Sequence, residues 1–301
     1  MDCTPIPRRR AYALVMLGAS LWGCVGIFVN GLAAQGLSPM QIAWLRMLGG
    51  AGVIAVWMAR VNPRRFRLRP WQDVRYFVLT GAVSIAVFQW SYISAIRTIG
   101  ISTSVVLLYT SPGFVVLFSR VFFAEPISRS KLVCLASMFA GVVAVTGALG
   151  TSAAGTTARD AVSPAGIALG LLAGLSFSLY SVVGKRALGR YGTQTVTVYT
   201  FAIAAVALTA PALQHAPVAW LSPSVIGWSI GIIAVPTIAA YLFYTAGLRH
   251  VESGRAAIAG TSEVVVATIV GTLLFGEPFG ALQLVGSILI IVAAVGIQRA
   301  R

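Results

Sequence analysis

Seven stretches of the chain, residues 11–45, 76–96, 98–119, 132–158, 161–184, 191–248 and 278–298, contain no Lys, Arg, Asp or Glu. A soluble domain has to cover its surface with charge, whereas a bilayer core about 30 Å thick is crossed by about 20 apolar residues of helix. With 58% of its residues hydrophobic and 10% charged, this 301-residue chain has to bury such stretches in lipid. That excludes a soluble enzyme, a disulfide-framed mini-protein and a disordered tail. Cys3, Cys24 and Cys134 are an odd number, two of them deep in apolar runs, which makes no disulfide framework.

Cutting the runs at Gly, Pro and charged residues gives ten helices, near 11–32, 40–59, 74–97, 101–123, 130–149, 164–184, 193–213, 223–248, 254–275 and 279–298. A net charge of +15 would suggest nucleic acid in a soluble protein, but here its distribution has another cause. With the N-terminus inside, nineteen of the 22 basic residues fall in cytoplasmic segments, including Arg8–Arg10, the run from Arg60 to Arg75, Lys131, Lys185 and Arg255. Arg97 and Arg159 face outside, and Arg46 lies within a span. Lys and Arg are retained on the cytoplasmic side of short loops, so the surplus sets orientation and implies no nucleic-acid partner. The chain reads as a multi-pass protein of a bacterial plasma (inner) membrane, with both termini cytoplasmic. Arg8–Arg10 before an apolar run also fits a signal peptide, but the run is long for one and its removal would spoil the alternation.

Internal repetition sets the architecture. An offset of 152 residues aligns Tyr92, Arg97, Phe123, Glu125, Pro126, Leu132 and Val133 with Tyr244, Arg249, Phe275, Glu277, Pro278, Leu284 and Val285. An offset of 156 sets Ser20 and Gly36 against Ser176 and Gly192. Helices one to five thus correspond to helices six to ten, and an odd count inverts the second copy. The predicted fold is all-α: ten transmembrane helices in two inverted-topology five-helix repeats around a central cavity. Residues 1–10 form a basic cytoplasmic tail, 11–150 the first repeat, 151–163 an external linker, 164–298 the second repeat and 299–301 the cytoplasmic C-terminus. Inverted repeats give a secondary transporter its two nearly equivalent conformations, with a site at their interface near the midplane.

Gly18-Ala-Ser-Leu-Trp22-Gly23, the Gly36-Leu-Ser-Pro39 turn leading to Leu45-Arg46, Leu108-Tyr109-Thr-Ser-Pro112 and the Glu-Pro loops occur in order along this duplicated chain. Together they resemble the drug/metabolite transporter superfamily, EamA type, over essentially the whole sequence. The resemblance implies a basket of helices around a cavity, with helices five and ten more peripheral. It also implies export of amino acids or other metabolites, and extends to aromatic amino acid exporters.

The residues exclude other chemistry. Gly184-Lys185 lacks the upstream Gly and following Ser or Thr of a nucleotide-binding loop, no His/Cys/carboxylate cluster offers a metal site, and no nucleophilic triad lies within the spans. No enzyme activity, cofactor or metal is expected. Glu263, about ten residues into helix nine and so about 15 Å deep, is the one carboxylate inside a span. Its ionised form costs several kcal/mol there unless paired or hydrated, so it reads as a proton-coupling or amine-binding group, against the plainer reading of a neutral acid bonded between helices. Arg46 reads chiefly as a donor to backbone carbonyls. Under the 152-residue offset Ser111 matches Glu263 and Tyr109 matches Thr261, with Pro112 adding a kink.

Gln89 and Tyr241, Tyr92 and Tyr244, and Trp22, Phe177 and Tyr180 add an amide and aromatic walls, each of which could instead pack between helices. Such a cavity suits aromatic or bulky apolar amino acids, or related small amphiphiles, moved outward by alternating access. The alternatives are another substrate class (a sugar, nucleotide-sugar or phosphorylated metabolite), a channel, or a membrane scaffold. The expected partners are a small-molecule substrate, the lipid bilayer and protons, with the chain a monomer or weak homodimer.

Overall fold

The computed structural model describes residues 7–68, 70–146, 163–214, 220–276 and 279–299, and within them the chain forms ten helical rods. They are α1 (Arg8–Ala33), α2 (Pro39–Val61), α3 (Trp71–Ile99), α4 (Ile101–Leu108 continuing as Ser111–Phe123), α5 (Arg129–Val145), α6 (Pro164–Leu188), α7 (Thr193–Leu213), α8 (Pro223–Leu248), α9 (Ser253–Phe275) and α10 (Ala281–Arg299). All except α5, which has 17 residues, are long and apolar enough to cross a membrane. All but Ser163 of the expected linker over 151–163, Glu277-Pro278, the first six residues of the tail and the last two of the chain lie outside the described residues.

Local sequence sets the helix ends. Pro39, Pro164 and Pro223 sit in first turns, where a missing N–H loses no intrahelical bond. Ser38 Oγ accepts from Gln41 N at 3.2 Å while Gln41 Oε1 accepts from Ser38 N at 2.8 Å, which satisfies two orphan donors reciprocally. Ser128 and Ser222 cap α5 and α8 in the simpler way. The chain leaves α4 through Ala124 at φ 54° and leaves α9 through Gly276 at φ 67°. These residues are 152 apart, so the two halves end equivalent helices with the same left-handed turn.

Packing repeats with the halves exchanged. α1 lies on α8 and α9, just as α6 lies on α3 and α4, while α2 pairs with α7 and α5 with α10. Ser137 Oγ donates to the Leu289 carbonyl at 3.1 Å between α5 and α10. A residue that touches its own 152-residue counterpart lies beside the axis relating the copies. Glu125, after α4, bonds Lys185 of α6 and the N–H of Ser253 that opens α9, while Asp73 ahead of α3 bonds Arg190 after α6. The connections α2–α3, α4–α5, α6–α7 and α8–α9 therefore share one end of the bundle, as alternate crossing requires.

Between helices in lipid there is no hydrophobic drive to associate, so close packing has to supply the attraction. A Cβ at Gly18 would lie 2.6 Å from Ala240 O, one at Gly23 2.6 Å from Glu263 O, and one at Gly141 2.7 Å from Gly286 O. The Gly166, Gly170 and Gly174 stripe lies against the end of α3 and the middle of α4. In α8, Gly231 abuts Phe28, but Gly227 meets open space and packs nothing.

Gly18→Leu should push α1 off the α8 backbone and destabilise by about 3 kcal/mol or more, since the obstacle cannot rotate away. Gly26→Leu, where a Cβ meets nothing within 4 Å, should remain within about 0.5 kcal/mol. Thermal unfolding of the two variants in detergent checks the contrast.

Candidate functional site

Among the described residues α1 is interrupted at Cys24, and four further rods are interrupted at depth in two repeat-related pairs. α4 breaks between Ile101–Leu108 and Ser111–Phe123, and α9 between Ser253–Gly260 and Ser262–Phe275. The break residues Tyr109 and Thr261 are 152 apart. At each break the turn tightens and a threonine returns to the same carbonyl as its own N–H. Thr110 N and Oγ1 both donate to Leu107 O, at 3.1 and 2.6 Å, and Thr261 N and Oγ1 to Ile258 O, at 3.2 and 2.7 Å.

α3 widens into a π-helix over Leu79–Val87 and α8 over Ala234–Ala239, which end at residues again 152 apart. Pro236 lacks the N–H that a regular helix needs. The Ile232 carbonyl takes Thr237 Oγ1 instead at 2.8 Å, and Pro236 O takes Arg46 Nη2 at 3.3 Å. Arg46 Nε also donates to Thr237 Oγ1 at 3.0 Å. Wide turns of this kind recur at functional sites because they open the backbone locally.

A narrow cavity lies where the broken helices meet α1 and α6. Trp22, Tyr109, Ser111, Pro112, Phe177, Tyr180, Tyr244, Thr261 and Glu263 line it, together with Val115, Ser178, Ser181, Ala257 and Gly260. At about 30 Å³ it holds one or two waters and not an amino acid, so a substrate needs the helices to part. A larger hollow of about 440 Å³ between α2 and α7 is lined almost wholly by apolar groups, among them the exposed Leu48 and Val206, and so faces lipid.

Four candidates stand behind the lining. Tyr241 packs edge-on against Trp22 at 4.9 Å and Tyr180 at 5.3 Å, and Tyr92 stacks on Phe88, which in turn meets Phe177. Gln89 is half-buried on α3, and Arg46 serves the α8 π-helix. Sequence reasoning passed over Ser178 and Ser181. Ser181 Oγ meets Tyr244 Oη at 2.8 Å, and Tyr180 Oη meets Thr245 Oγ1 at 2.8 Å, which fixes the α6 face against α8. The available signal was the Phe-Ser and Tyr-Ser pairs three residues apart, which set each serine beside a lining ring.

Polar satisfaction separates the lining further. Among the described residues no hydrogen bond or ion pair engages the Glu263 side chain, which is half-buried at the α9 break with Gly23 of α1 against its backbone. Trp22 Nε1 is buried with no partner there either. The Arg46 guanidinium is within electrostatic reach of the Glu263 carboxylate but spends its donors on α8. The cavity thus offers an unengaged acidic group, a buried unengaged indole donor and aromatic walls. Among the described residues no cluster of His, Cys, Asp or Glu could hold a metal ion.

The sequence profile of the EamA-like transporter family matches residues 9–147 and again 164–299. The chain belongs to this family. It is 27% identical to an uncharacterized transporter of Archaeoglobus fulgidus over 285 residues, covering 94% of each chain. It is 25% identical to the threonine/homoserine exporter RhtA of Escherichia coli over 283 residues, covering 92% of this chain and 91% of that one. A solved protein structure superposes with a TM-score of 0.80 at 18% identity over 96% of each chain, a likeness of fold. The chain is therefore a multi-pass transporter of the drug/metabolite superfamily, and it is placed in a membrane by its family and its apolar helices.

The tightened turn at Thr261 should be worth more than an ordinary helical threonine. Thr261→Val keeps shape and removes the hydroxyl, and should destabilise by about 1 kcal/mol. Thr268→Val, which loses a bond to Val264 O inside a regular turn, should fall within a few tenths of a kcal/mol of the parent. Thermal melts of the two variants check this.

Proposed function

We propose that this EamA-family transporter exports amino acids with aromatic or bulky apolar side chains, or amphiphiles of that shape, by alternating access coupled to protons at Glu263. The observation that carries the reading is the unengaged Glu263 carboxylate on the cavity wall. A charge left unpaired in an apolar interior costs several kcal/mol, so the group has to hold either a proton or a cation. A substrate ammonium and a proton then compete for one position, and loading one displaces the other. The rings of Trp22, Tyr109, Phe177 and Tyr244 supply an apolar slot beside it, and Trp22 Nε1 supplies a donor for a carbonyl or carboxylate oxygen.

Coupling through exclusion needs a single titrating site. Ser111, the repeat counterpart of Glu263, cannot titrate, so one copy of the pair carries the proton. The path outward follows from the two arrangements available to paired repeats, each opening the site to one side. The relative that exports threonine and homoserine makes small hydroxylated amino acids the competing substrate class. One deep arginine already engaged by α8 leaves little charge for phosphate, which weighs against phosphorylated metabolites.

Flux in proteoliposomes tests both parts. An aromatic amino acid should show saturable counterflow and accumulate against a pH gradient at least tenfold better than threonine or homoserine, and the reverse order overturns the substrate assignment. Glu263→Gln should abolish pH-driven accumulation while leaving downhill exchange. Unchanged pH dependence in that variant would make Glu263 a structural acid and the flux facilitated diffusion.

A further inference from the structure

We infer that Glu125 is a latch holding the cytoplasmic end of the transport path shut, and that loss of its contacts is the step that opens the cavity inward. The inference rests on the transport reading above, while its test needs no flux.

Glu125 sits at the left-handed end of α4, 7% exposed. Its Oε1 accepts from Lys185 Nζ of α6 at 3.1 Å and from Ser253 N at 3.0 Å, and its Oε2 from Gly254 N at 3.5 Å. Those two N–H groups open α9 and have no partner inside their own helix, and the helix dipole there favours a negative charge. One carboxylate thus joins α4, α6 and α9, three of the helices that line the cavity. The surrounding groups are themselves engaged. Lys131, 1% exposed, donates to Pro126 O at 2.9 Å, pairs with Glu252 at 3.0 Å and stands 3.9 Å from Glu125. Arg255 pairs with Glu252 at 2.9 Å, and Lys185 also donates to Val251 O at 2.7 Å. Burial disfavours the charged form of Glu252, but Lys131 and Arg255 outweigh it and hold that carboxyl below the ordinary carboxylate range.

Two features make this cluster a closure and not a brace at an arbitrary place. Between it and the cavity lies a plug of Val115, Val182 and Ala257, buried and backed by Phe118 and Phe123, and two of its members also line the cavity. Ala257 is one turn along α9 from Ser253, so a shift that frees Ser253 from Glu125 moves the plug. The buried cation of the cluster is also particular to one half in the sequence. The position of Lys131 is taken in the second copy by Gln283, whose Oε1 accepts from Gly280 N within its own connection. A buried ionic network adds little net stability over apolar packing but strongly penalises loss of one member, which suits a contact that defines one of two states.

The test uses the full chain with Cys3, Cys24 and Cys134 changed to Ser and one reporter, Ala257→Cys, in membrane vesicles of either orientation. A membrane-impermeant maleimide applied to the cytoplasmic face should label the parent slowly. Glu125→Gln, and separately Lys185→Met, should each label at least tenfold faster from that face without a rise from the outer face. Unchanged cytoplasmic labelling in both variants, or acceleration from the outer face instead, overturns the latch. If Glu125→Gln does not fold, Lys185→Met decides alone, since its side chain is partly exposed. Accelerated labelling in a protein that shows no substrate flux would sink the transport reading and leave the latch standing, and flux with unaltered labelling would do the opposite.

Discussion

In a bilayer core no water reaches a stranded backbone group, so every departure from regular helix must be repaired by the protein itself. That requirement organises the interior. α4 and α9 break where Thr110 and Thr261 return hydroxyls to Leu107 and Ile258, and the α8 π-helix persists because Thr237 and Arg46 serve the carbonyls of Ile232 and Pro236. Each of these bonds comes from a threonine three or five residues beyond the carbonyl or from a neighbouring helix. Interruptions are therefore confined to the place where helices converge, which is also where the cavity lies.

The same constraint explains why Glu263 stands out. Several polar groups of the lining are satisfied in pairs, such as Ser181 with Tyr244 and Tyr180 with Thr245, while Glu263 and the Trp22 indole are left open on the cavity side of the bundle. Gly23 allows α1 to approach the α9 backbone at Glu263, so Trp22 and Glu263 line one narrow space. At the end of the bundle that holds the α4–α5 and α8–α9 connections the charges are instead matched one to another through Glu125. The bundle thus has a saturated ionic end and an unsaturated interior, the distribution expected of a path closed on one side.

Much of this was legible in the sequence because lipid demands long uncharged stretches and because duplication ties depth in one half to depth in the other. The pairing of Tyr109 with Thr261 and of Ser111 with Glu263 follows from the 152-residue offset alone, whereas the helix breaks there do not. Direction around a helix was not legible. Lipid and protein interior are both apolar, so helices such as α7 and α9 carry almost no polar stripe to show which face turns inward. Tyr92, Tyr241, Gln89 and Arg46 are not among the residues that line the cavity, while Ser178 and Ser181, which do line it, were passed over. Lys131 and Lys185 were read as topology signals only, since nothing local reveals that Glu125, 60 residues from Lys185, meets it.

The central claim is that substrate sits between the two helix breaks. The most direct measurement is protection from alkylation: single cysteines replacing Ser111 on α4 and Thr261 on α9, each in the chain freed of its native cysteines, labelled with and without saturating transported substrate. The account predicts that substrate slows labelling at both positions, and by similar factors, because both line one cavity. If a substrate with demonstrated saturable flux protects neither cysteine, the site lies elsewhere and the account is wrong.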